Sequence, residues 1–237
     1  MTGSTTQTPV PVPEPVDPRS PPAEADLSPT RFLDFEHPDV DRFARTIAAT
    51  EAEGGLTGQA VVLFNTVRDS IWYDPHDISD DPDDYRASAV LGGRQRWCVP
   101  KAVLLTAACR VVGIPARLGF ADVRNHLQSP KLRERMGTDL FYWHGYSVIW
   151  LDGAWRKASP AFNRELCERF GTDVLTFDGS GDALLHPYTG DGRRYMEYVS
   201  QRGVYSDLPL DRIMATFDEV YGFDAAPAED DPAFRQG

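Results

Sequence analysis

The stretch that decides the fold runs from Gly92 to Leu118 and reads GGRQRWCVPKAVLLTAACRVVGIPARL. Gly92 and Gly93 allow a tight turn. Pro100 falls in the first turn of the segment beyond, where a missing N–H is no loss. From Lys101 to Val112 apolar side chains occupy most of the circumference, so the spacing predicts an interior helix rather than a surface one. Gly113 and Pro115 then stop it. The loop thus delivers Cys98 to the N-terminus of a buried helix. Backbone N–H groups and the helix dipole favour a thiolate there, and Arg94, Arg96 and Lys101 add positive charge. The alternative is a cysteine packed as a small apolar residue.

Downstream, the aromatic run FYWHGYSVIW from Phe141 to Trp150 is followed by LDGA and WRKAS. Asp152-Gly153 between two aromatic, β-branched runs predicts a two-residue hairpin. That turn sets a register of Leu151 opposite Ala154, Trp150 opposite Trp155 and Val148 opposite Lys157, and it extends to His144 opposite Ala161. Side chains alternate along each strand, so the face holding His144 continues as Ser159, Ala161 and Asn163. Ser159 and Asn163 are the diagonal neighbours of His144. Pro160 ends regular pairing near that point.

The rest of the chain frames these two pieces. Residues 1–29, with prolines at Pro9, Pro11, Pro13 and Pro15, read as an extended, disordered arm. A helix after Pro38 presents Val40, Phe43, Ala44 and Ile47, and a second from Thr57 to Ile71 presents Ala60, Phe64, Val67 and Ile71. The acidic loop from His76 to Asp84 lacks EF-hand spacing and reads as solvated. A short helix at Ala87–Leu91 feeds the cysteine segment. Beyond it, Arg117–Val123 reads as a strand, Asn125–Gly137 as a polar loop or short helix, and Arg194–Gln201 as a helix. A closing helix spans Pro209–Tyr221. Residues 30–224 form the folded domain, and 225–237 a flexible tail.

With 237 residues the chain suits one domain with a sizeable core. A net charge of −12 argues against nucleic acid and anionic membrane surfaces as partners. No apolar run approaches the roughly 20 residues that cross a bilayer, and the N-terminus has no secretory signal pattern. Cys98 and Cys109 sit about 16 Å apart on one helix, too far to bridge. Together with Cys167 they read as unpaired thiols in a reducing compartment, the cytoplasm. No metal motif is present: there is no CxxC and no HExxH, and His37, His76, His126 and His186 are scattered. Nor is there a phosphate-cradling glycine loop, so no cofactor is expected.

A cysteine at a helix N-terminus and a histidine on a later strand are two parts of a nucleophile–base pair, with a third polar group beside the histidine to orient its ring. The same residues carry a family resemblance. Cys98 on a helix ending RVVGIPARLG, preceded by RDSIWYDP, then His144 on a strand and a tryptophan-led return, resembles the transglutaminase-like superfamily over roughly Thr57–Asn163. The resemblance implies a papain-like α+β fold, with the cysteine helix packed against an antiparallel sheet. It implies Cys98 as nucleophile and His144 as general base, acting through a thioester on a peptide or protein carboxamide. The family's third residue is an aspartate after the second tryptophan, and Ser159 stands in that position here. Asn163, on the same face and with the longer reach, is the favoured alternative, since papain-like enzymes orient their histidine with asparagine. Gln95 is either an oxyanion donor beside the Cys98 N–H or a plain turn residue. Trp72 is either a cleft wall or core. Two rival functions stay open: a non-catalytic peptide- or protein-binding module on the same fold, and an arylamine-type acetyltransferase. Nothing in the sequence signals an oligomeric state.

Overall fold

The computed structural model describes residues 12–51, 53–126, 128, 133–134, 136–186, 189–222 and 234–236. At its centre is the helix that the Gly92–Leu118 stretch predicts, α4. The elements preceding it are α1 (Pro38–Ala48), α2 (Gly55–Ser70), β1 (Trp72–Tyr73), α3 (Ala87–Gly92) and β2 (Gln95–Arg96); α4 itself is Cys98–Val111. Every residue of α4 is buried. Its apolar circumference is matched by neighbours on all sides, with α1, α2 and α3 around it and a sheet beneath.

That sheet holds β3 (Ala116–Asn125), β4 (Leu140–Leu151), β5 (Ala154–Ala158) and β6 (Met196–Tyr205) in the order β5-β4-β3-β6, all antiparallel. Between β5 and β6 lies α5 (Arg164–Phe170), and α6 (Leu210–Tyr221) closes the described fold. The mixed α+β architecture is the one the sequence leads to. The β4–β5 turn has Asp152 at φ 49° and Gly153 at φ 80°, the two positive values a type I′ turn requires. The register agrees with that turn: Leu151 pairs with Ala154, Trp150 with Trp155 and Val148 with Lys157. Pairing stops at Ser147–Ala158, so His144 has no partner at Ala161. Past that point β5 turns away, and the Ser159 N–H donates to the Ala183 carbonyl at 2.9 Å.

Three sequence expectations need correction. Residues 196–205 are strand, not helix: they pair along the free edge of β3, from Leu118–Tyr205 to Asn125–Met196, and ladder bonds outweigh local propensity. Of the proline-rich arm, 1–11 lie outside the described residues, and 12–29 run along the domain with fixed contacts. Val16 bridges Val204, and Asp26, 1% exposed, forms a two-pronged ion pair with the equally buried Arg117 at 2.8 Å. A buried guanidinium needs a counter-charge, and the arm supplies it. Of the tail, 223–233 lie outside the described residues, while Phe234 packs against the domain. Most of the 125–137 passage also lies outside them. Among the described residues no helix is long and apolar enough to cross a membrane.

Candidate active site

Cys98 is the first residue of α4 and 6% exposed. Its thiol faces the backbone N–H groups of Gly145, Val99 and Cys98 itself. Gly145 is what permits this approach. A Cβ on Gly145 would stand 2.9 Å from the Val99 Cα, so only glycine lets β4 rest on the first turn of α4. His144, the preceding residue, is 5% exposed, and its Nε2 lies 3.2 Å from the Ser159 hydroxyl oxygen. The Tyr198 ring stands edge-on to the imidazole at 6.1 Å between centroids. Among the described residues no hydrogen bond joins the sulfur to the ring; the two are neighbours through the 144–145 backbone.

Burial dominates the electrostatics. It pushes the Cys98 thiol up to about 11, against the lowering effect of the surrounding N–H groups and Lys101. It pushes His144 down to about 4. Both shifts oppose a thiolate–imidazolium pair in the closed site. The neutral pair wins, so the thiolate expected at the helix N-terminus is not the resting form: desolvation exceeds the dipole term. Burial, with Cys98 among the smaller contributors, also raises the hydroxyls of Tyr73, Tyr198 and Tyr221.

The other expected residues fall in different places. Asn163 does not reach the imidazole: its Oδ1 accepts the Tyr73 N–H at 3.2 Å, which fixes β1 against the start of α5. The cause is the early end of β5, which leaves Ser159 at the ring and carries Asn163 past it. Gln95 is exposed, and its Nε2 donates to Asp74 Oδ2 at 3.1 Å, so its amide is spent at the end of β1 rather than at Cys98. Lys101 points away from the thiol. Its Nζ donates to the carbonyls of Arg68, Ile71 and Ala161 at 2.7–2.8 Å, tying α2, β1 and the segment after Ser159 to α4. Burial lowers its ammonium to about 7, while three acceptors match its three donors. Trp72 is buried at 3%.

Two supporting residues escape sequence reading. Trp143, just before His144, has φ 59°, a left-handed conformation rare for a bulky residue. Here β4 carries one extra residue against β3: Ala121 pairs with His144 but Val123 with Phe141. Asp122, 5% exposed, holds the bulge by accepting the Trp143 N–H at 3.2 Å, and Arg202 grips the same carboxylate through Nε at 2.8 and 2.9 Å. Nothing in the residue types announces a bulge. Lys101 inside an apolar helix was the one visible signal of a buried polar clamp. Among the described residues no group of three histidines, cysteines or carboxylates is placed to hold a metal ion. In the acidic loop Asp77 pairs with Arg96 at 3.1 Å and Asp84 accepts the Ser79 hydroxyl at 2.5 Å.

No protein of curated function matches the sequence. Among solved structures, a "putative cysteine protease" from Cytophaga hutchinsonii is similar at 16% identity and a TM-score of 0.43, over 57% of this chain. The chain spans 40% of the length of that protein, a likeness too loose to bear on the chemistry. Residues 41–160, which contain Cys98, His144 and Ser159, match the family model of the transglutaminase-like superfamily, and the chain belongs to that superfamily.

Proposed function

We propose that the protein is a cysteine-dependent acyl-transfer or amide-hydrolysing enzyme, with Cys98 as nucleophile and His144 as general base. The observation that carries this reading is the packing of Gly145 on the first turn of α4, which makes a thiol at a helix start adjoin a histidine backed by a polar group. Because both groups rest neutral, His144 takes the thiol proton as sulfur attacks the carbonyl carbon, rather than before substrate arrives. The proton then passes to the leaving amine, and water or a second amine resolves the thioester. Ser159 orients the ring through Nε2. The substrate is a peptide or protein carboxamide, and the cytoplasm is the compartment that three free cysteines favour.

A mass-spectrometric assay tests this. The protein is incubated with glutamine-containing peptides and a primary amine, and ammonia release, peptide cleavage and a Cys98 thioester are followed. Turnover lost in both Cys98→Ser and His144→Ala is expected; turnover that survives either change sinks the assignment. A non-catalytic peptide-binding module is favoured by one observation: among the described residues, the ring of His144 is hydrogen-bonded to the Ser159 hydroxyl and not to a carboxylate. Peptide binding without any acyl-enzyme, unchanged in Cys98→Ser, is the result that selects it.

A further inference from the structure

Residues 234–236 lie against β1 and α5. The Phe234 ring meets Tyr73 at 6.2 Å, His76 at 5.8 Å and Phe170 at 5.6 Å, each edge-on. Its carbonyl accepts the Trp72 indole N–H, and the Arg235 carbonyl accepts Arg169 Nη1 at 2.5 Å. Arg169 is itself stacked on Trp72 at 5.1 Å, so the two donors form one unit. Donors placed for successive backbone carbonyls, next to a pocket for one side chain, are a peptide-reading arrangement. The carbonyls are common to every sequence, and the pocket selects. Without the tail, Phe170 and the edge of Tyr73 would present an apolar face to water.

The pocket is tied to the Cys98 segment through β1. Tyr73 touches Phe234 on one edge and Phe162 on another at 4.7 Å, and its backbone is pinned to Asn163. Its strand, β1, pairs with Gln95–Arg96, two residues ahead of Cys98. We infer that Trp72, Arg169 and the Tyr73–His76–Phe170 pocket form a subsite for an extended peptide with an aromatic side chain, and that Phe234–Arg235 occupies it as an internal competitor. This rests on the Cys98 reading for its consequence, not for its binding.

The full chain carrying Phe234→Ala tests it, with the acetylated peptide Ala-Phe-Arg-Gln-Gly as probe. Removing a tethered competitor is expected to strengthen peptide binding about tenfold over the unsubstituted chain. Adding Arg169→Ala to that variant is expected to weaken it again about fivefold. The bound peptide should slow iodoacetamide labelling of Cys98, and the Ala-Ala-Arg-Gln-Gly peptide should do neither. No binding to the Phe234→Ala chain, equal binding of the two peptides, or labelling unaffected by bound peptide overturns the inference. A chain that binds and shields but never forms an acyl-enzyme leaves the inference standing and removes only the catalytic reading. Phe234→Asp, which cannot enter the pocket, must reproduce Phe234→Ala.

Discussion

Ser159 meets the His144 ring with a neutral hydroxyl 3.2 Å from Nε2. A hydroxyl fixes ring orientation but does little for an imidazolium, which agrees with the position of His144 at about 4. A carboxylate at the same place is expected to raise the ring by about 2 pH units. Ser159→Asp should therefore shift the pH profile of Cys98 labelling toward neutrality, whereas Ser159→Ala leaves it in the alkaline range. An unchanged profile in Ser159→Asp, with the fold intact by circular dichroism, shows that residue 159 does not govern the base. Cys109, 0% exposed and pushed up to about 12, should label more slowly than Cys98. At this scale the grouping of Cys98, His144 and Ser159 was legible because each is a chemical type at a countable spacing. Asn163 was misplaced because the count assumed β5 continues past Pro160.

The bulge in β4 shows what an element can hide. Trp143 is a poor residue for a positive φ, and such a conformation costs about 1–3 kcal/mol that surrounding contacts must offset. Here the offset comes from Asp122 at its N–H and from Thr216 on α6, which accepts the indole N–H at 2.9 Å. Asp122→Ala removes the acceptor and leaves Arg202 unpaired, and is expected to cost about 2–4 kcal/mol in urea unfolding. Asp122→Asn, which keeps an acceptor for Trp143, should cost less than half of that. If both substitutions cost the same, the N–H contact does not hold the bulge. Elements defined by local pattern, such as α4 and the β4–β5 hairpin, could be read from the sequence alone. The strand β6 could not, because its pairing partner β3 lies 80 residues away and the polar run Ser200-Gln201-Arg202 carries no period-two signal.

At the scale of the whole molecule, one buried ion pair and one buried neutral histidine bear on stability. Asp26→Ala leaves Arg117 buried without a counter-charge, and a loss of about 3–5 kcal/mol in urea unfolding is expected; a loss under 1 kcal/mol would show that the arm is dispensable. The second feature is pH-dependent. His144 titrates near 6.5 when unfolded and near 4 when folded. Above pH 6.5 neither state binds the proton, and between 6.5 and 4 only the unfolded state does. Stability therefore falls on acidification through that window, by up to about 1.4 kcal/mol per pH unit. His144→Gln should flatten this slope relative to the unsubstituted chain. Equal slopes would mean that the ring charges inside the fold.

The bridge between Val16 and Val204 has a consequence for how the chain acquires its structure. Its two residues are separated by 188 positions, and the Asp26–Arg117 pair by 91. Contacts of such sequence separation form late and slowly, because loop-closure entropy comes before their reward. During synthesis the arm precedes β6 and cannot form the Val16–Val204 bridge until β6 is complete. Between the synthesis of β5 and that of β6 the sheet face that includes Tyr146, Val148 and Trp155 lacks Val204 and the Val16 that the bridge brings with it, and it is open to other chains for that interval.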